Sequence, residues 1–169
     1  IHARRVGDEG FVALLSDGES LFADALEAVV DDLIAVDING PRLSRVNFDA
    51  VTLVILDLPS ETLLGPTGRR LVDALGHLAR EELTLAFMGE SAAATGLFLE
   101  DGITAGLNLI PQAVVIHDVQ GVADLQALLA RMSTQGVRLL AMDEPVSVVY
   151  EYADDSVAVE GSGNVLLVA

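Results

Sequence analysis

Two spacings of apolar residues alternate along most of the chain. Residues 11–15, 33–38, 51–56, 83–88, 113–116 and 137–142 are short, nearly unbroken apolar runs. Runs of this length without alternation are the mark of strands buried on both faces. Between them the period lengthens. Residues 21–32 place apolar side chains at 21, 22, 25, 26, 29 and 30, and residues 68–80 place them at 71, 72, 74, 75 and 78. Residues 122–132 carry leucines at 125, 128 and 129. These spacings predict amphipathic helices, and the small residues of 92–98 predict a further short one. Turn-forming clusters separate the elements: Ser16-Asp17-Gly18, Asn39-Gly40-Pro41, Asp57-Leu58-Pro59, Glu100-Asp101-Gly102 and Asp143-Glu144-Pro145.

After Pro145 the pattern changes. Residues 147–152, 156–160 and 164–168 are three β runs separated by Asp154-Asp155 and Gly161-Ser162-Gly163, which reads as an antiparallel meander. The order of elements predicts an α/β protein with three layers. Its mostly parallel, doubly wound, flavodoxin-like sheet carries helices on both faces and ends in the C-terminal β meander. At 169 residues the chain is read as a single domain, 1–169. Residues 1–10 are polar and irregular and predict a loop.

Composition narrows the possible partners. Apolar residues make up 51% and the mean hydropathy is +0.50. The longest uncharged run, 102–116, is interrupted by Asn108, Pro111 and Gln112, so no membrane span is expected. No signal peptide is expected from the residues at hand. Without cysteine there is neither a disulfide framework nor a thiolate metal site, and a cytoplasmic setting is the expectation. The net charge is −17 and all nine basic residues are arginine. Such a surface repels phosphate backbones, which argues against nucleic acid as a partner, while it suits a cationic substrate.

In open α/β sheets, sites form beyond the carboxyl ends of the strands. Four polar groups fall there: Asp57, Ser91, His117 with Asp118, and Asp143 with Glu144. The stretch from Leu83 to Ala94 is the most suggestive. A buried strand leads into Gly89-Glu90-Ser91-Ala92-Ala93, with small residues at alternate positions and a helix-forming run behind them. That is close to the G-x-S-x-G nucleophile elbow, in which a serine sits on a strained strand-to-helix turn. An ordinary serine N-cap on an α/β loop fits the same residues. His77 and His2 lie away from these groups, and three scattered histidines predict no metal site. No phosphate loop is present, because Gly65-Pro66-Thr67-Gly68 is not followed by G-K-[ST].

Four stretches follow one another in order: Gly89-Glu90-Ser91-Ala92-Ala93-Ala94; Gly106-Leu107-Asn108-Leu109-Ile110-Pro111 with Val114-Val115-Ile116; Leu140-Ala141-Met142-Asp143-Glu144; and Gly161-Ser162-Gly163-Asn164-Val165. Through them the chain, from about Phe48 onward, resembles cyanophycinase and the dipeptidase E-like serine peptidases. The stretches stand, in turn, for that family's G-T-S-A-G-A, its G-L-G-L-L-P and V-V-V, its G-I-D-E and its closing G-S-G-x-V. The resemblance implies the class I glutamine amidotransferase-like fold and leaves residues 1–47 unanchored. It implies a catalytic set of Ser91, His117 and Glu144, with Ala92, Asp57 and Leu58 lining the oxyanion region. It implies no cofactor and no metal.

The same comparison exposes departures. Counted without gaps from Pro111, Asp118 occupies the family's histidine position and His117 falls one residue early. The family's substrate-binding arginines are replaced by Val122 and Asp124. Asp57-Leu58-Pro59 replaces the G-G that supplies oxyanion donors: a carboxylate opposes the developing charge, and proline has no N–H. These changes predict a degraded site, inactive or weakly active. Two further readings stay open. One is an active serine hydrolase on a small peptide or amide that uses Ser91, His117 and Glu144 in a shifted arrangement. The other is an interaction domain whose apolar C-terminal strands pair with a second copy as a homodimer.

Overall fold

The computed structural model describes residues 10–18, 20, 22–79, 83–119, 124–143, 146–151 and 156–168. They form two compact units, one ending at Ser91 and the other beginning at Ala92. The architecture is α/β, with a four-stranded parallel sheet and additional antiparallel strands.

In the first unit, β1 (Phe11–Ser16), β2 (Leu33–Asp37), β3 (Val51–Asp57) and β4 (Thr84–Phe87) pair in the order β2-β1-β3-β4. All three pairings are parallel. The unbroken apolar runs are explained by burial on both faces: Ala13, Leu14 and Leu15 are all fully buried, and so are Val54 and Leu56. On one face Leu14 and Ile55 pack with Leu26 of α1 (Ala23–Glu27). Two further helices follow β3. These are α2 (Ser60–Leu64), preceded by Pro59, and α3 (Pro66–Ala79), with Pro66 at its first position, where a missing N–H costs nothing. Buried Leu63, Leu71, Val72 and Leu75 are their core contribution.

The second unit opens inside α4 (Glu90–Ala93), a single turn that straddles the boundary between the units. It contains β5 (Ala113–Ile116), α5 (Leu125–Gln135) and β6 (Arg138–Met142). β5 and β6 are parallel, and Val114, Ile116, Leu139 and Ala141 pack under Leu128 and Met132 of α5. Asp124 caps α5 by accepting from the Ala127 N–H at 2.9 Å. Gly136, at φ +64°, ends it in the left-handed conformation that glycine adopts freely. β7 (Val146–Glu151) and β8 (Ser156–Gly161) form an antiparallel hairpin. β9 (Val165–Val168) pairs antiparallel with β6.

Four expectations are corrected. The helix expected over 21–32 is confined to Ala23–Glu27. Its continuation would place β-branched Val29 and Val30 and then Asp31-Asp32 at a C-terminus where negative charge is unfavourable. The helix expected over 92–98 stops at Ala93. The backbone of residues 96–98 runs beside β5, with the Leu97 N–H donating to the Ala113 carbonyl and Phe98 bridging to Val114. Gly96 permits this approach, since a Cβ there would lie 2.6 Å from the Ala113 carbonyl oxygen. The helical segment expected over 68–80 is preceded by α2 and starts earlier, at Pro66. The meander is not continuous: among the described residues β9 pairs with β6 and not with β8. That choice covers one side of β6, whose central residues Leu139, Leu140 and Ala141 are buried. The loop expected over 1–10 lies outside the described residues except at Gly10. No described helix is long and apolar enough to cross a membrane.

Candidate functional site

Ser91 lies where strand–turn–helix patterning placed it, just past β4 at the carboxyl edge of the parallel sheet. The positive φ of the turn falls on Gly89, at +54°, and not on Ser91, which belongs to the helical turn α4. This corrects the elbow expectation, in which the serine itself carries the strain. A glycine two positions earlier absorbs the reversal at little steric cost, so Ser91 is left in ordinary helical backbone.

The side chain of Ser91 is fully buried. Its hydroxyl stands 2.6 Å from the Leu56 carbonyl oxygen and 2.7 Å from that of Met88, and it accepts from the Met88 N–H at 2.9 Å. A hydroxyl has one proton and two lone pairs. Here the proton goes to one of two backbone carbonyls, and one lone pair is taken. The same Met88 N–H also donates to Leu56 O, and the Ser91 N–H donates to Met88 O. Ser91 therefore ties the end of β3 to the turn after β4. It behaves as a backbone pin, and its proton is not offered to a general base.

The rest of the proposed set sorts by unit. Asp57 ends β3, and its carboxylate accepts from the Ser20 hydroxyl at 2.6 Å. Leu58 is buried. Its neighbour Pro59 precedes α2, whose Ser60 N–H donates to Glu90 at 3.4 Å. Ala92 is half-buried in α4, and its carbonyl accepts from both the N–H and the hydroxyl of Thr95.

His117 follows β5 in the second unit. Its Nδ1 lies 2.8 Å from Glu100 Oε1, and its backbone N–H donates to the same oxygen at 3.2 Å. Both side chains are about one-third exposed, at 30% and 31%. The acid that orients His117 is thus Glu100, seventeen residues upstream. In the sequence Glu100 stood only in a helix-breaking cluster. No spacing signal links the two residues, because the loop between them closes in three dimensions. Glu144 lies outside the described residues. Asp118 is exposed, and the Asp143 N–H donates to the Asn164 carbonyl at the β6–β9 junction.

A second constellation, not singled out from sequence beyond Asp57, sits at the carboxyl edge of the first sheet. The order β2-β1-β3-β4 puts the reversal of strand order between β1 and β3, whose strands run parallel like the rest. Asp17 follows β1 there and accepts from the Asn39 amide at 2.5 Å and the Thr62 hydroxyl at 2.9 Å. Asp17 and Asp57 thus end adjacent strands. Among the described residues, no group of three or more histidines and carboxylates is placed to hold a metal ion. Comparison with models of known families, with curated proteins and with solved structures returned no match.

Proposed function

We propose that this chain is a non-catalytic, cyanophycinase-like domain, a pseudoenzyme in which the nucleophile position has become structural. The observation that carries the reading is the Ser91 hydroxyl, fully buried and bonded to Leu56 and Met88 backbone. A serine nucleophile needs an adjacent base to take its proton and an open approach for the substrate. Under this proposal the whole chain has the single-domain, doubly wound, flavodoxin-like layering of the class I glutamine amidotransferase fold. The parallel order β2-β1-β3-β4 is consistent with that layering. Binding replaces catalysis. A small peptide or amide presenting an amine would lie against Asp17 and Asp57 at the strand-order switch, in keeping with the net charge of −17. The cytoplasmic setting belongs to the same proposal.

A fluorophosphonate probe tests it, because such probes modify activated serines. Wild type, Ser91→Ala and His117→Ala are incubated at neutral pH beside an active serine hydrolase. Only the control should be labelled. Stoichiometric labelling of wild type that vanishes in both variants would replace this reading with the shifted, active triad.

A further inference from the structure

β9 is an edge strand that lacks the usual protection of an edge. It closes one side of the sheet β5-β6-β9, and no described strand pairs with its other side. Exposed edges normally carry a charge, a proline or a bulge that discourages pairing. β9 is Val165-Leu166-Leu167-Val168, and its register with β6 runs through four consecutive pairs without a shift. Residues 161–169 contain no charged side chain in a chain of net charge −17. By contrast, β2 ends at Asp37, and β7 and β8 contain Glu151 and Glu160.

Both faces of β9 are apolar and open. Leu166 is 43% exposed, Leu167 53% and Val168 36%. Their partners across the ladder, Ala141, Leu140 and Leu139, are all buried. Leu166 and Val168 share a face with Leu139 and Ala141, the face packed by α5. The core therefore stops abruptly at β9, with two side chains prepared to continue it.

We infer that β9 pairs antiparallel with β9 of a second copy of this chain, joining two three-stranded sheets into one of six strands. Two features favour a second copy as the occupant. The first is charge. With so large a net negative charge, most approaches of one copy to another set carboxylates against carboxylates, and the uncharged strip is a face that avoids this. The second is self-complementarity. Antiparallel neighbours point to the same face, so a two-fold axis normal to the sheet must pass through one residue position. Centred on Leu166, the pairing sets Leu166 against Leu166 of the second copy and Val165 against its Leu167. Every side chain of the strand then meets an apolar or neutral one on both faces. Such cross-strand neighbours are what stabilise a sheet. The inference stands independently of whether Ser91 is catalytic.

Sedimentation equilibrium on the full chain tests it. A seam of four residues belongs with small, transient interfaces, so the measurement spans roughly 10 µM to roughly 1 mM, where weak complexes assemble. Wild type should move from one to two chain masses across this range. Raising the salt should tighten the dimer, since screening weakens repulsion between the acidic copies. Leu166→Lys and Leu166→Asp, each checked by circular dichroism for a wild-type fold, should remain monomeric alone and form a mixed dimer when combined. The mixed dimer is the specific signature, because it requires position 166 to face position 166. Monomeric wild type at the highest concentration would overturn the proposal. So would dimers that persist in the single variants, or folded variants that fail to pair on mixing.

Discussion

Replacing Ser91 with alanine separates a structural serine from a nucleophile by stability alone. The hydroxyl makes one donated and one accepted hydrogen bond in a fully buried site. Each such bond is worth about 0.5–1.5 kcal/mol net. The larger penalty for orphaned groups does not apply. Without the hydroxyl, Met88 N–H still reaches Leu56 O at 3.0 Å, and Met88 O still accepts from Ser91 N–H at 3.1 Å. Only a small void remains, because alanine differs by a single oxygen. Ser91→Ala should therefore cost about 1–2 kcal/mol, read as a lower midpoint in urea with an unchanged slope. An activated nucleophile behaves differently: active sites trade stability for function, and their removal is neutral or stabilising. A Ser91→Ala variant as stable as wild type, or more stable, would refute the backbone-pin reasoning. Ser91→Val, which puts a larger, apolar side chain into a fully buried site, should be worse by about a further 1–3 kcal/mol.

Two other outcomes follow from local geometry. Asp124 is the N-cap of α5, and Asp124→Ala should cost about 1 kcal/mol in the same urea assay, with Asp124→Ser recovering most of it. For Asp101, burial works to raise the pKa. The hydrogen bonds from the Thr104 hydroxyl and from the Ile103 and Thr104 N–H groups, with the Arg131 charge, outweigh it and hold the carboxyl below its ordinary 3.8. A depressed folded value means that Asp101 stabilises the fold fully above the unfolded value and loses this as the pH falls through the lower folded value. Asp101→Asn should flatten that part of the acid-unfolding curve below about pH 4, and an unchanged curve would count against the clasp.

The site residues divide sharply by how they were found. The position of Ser91 after a buried strand was legible, because an apolar run followed by small residues is a local pattern. Its role was not, since Leu56, whose carbonyl lies within hydrogen-bond reach of its hydroxyl, is 35 residues away on β3. The near-elbow motif also hid the conformation: the reversal could fall on Gly89 or Ser91, and the backbone angles decide for Gly89. Glu100 was legible only as a turn former, and its pairing with His117 needed the loop to close.

By itself the sequence determined the buried strands β1, β3, β5 and β6, the helical spacing of α3 and α5, and the net charge of −17. These follow from side-chain spacing, from intrinsic backbone preferences and from total charge, all of which act over a few residues or over the whole chain at once. Tertiary structure alone decided the partners. It set the order β2-β1-β3-β4, sent β9 to β6 instead of β8, and brought Asp17 and Asp57 to adjacent strand ends. Strand pairing joins residues far apart in the chain, and two apolar runs of similar length and composition carry no local mark of which neighbour each will take.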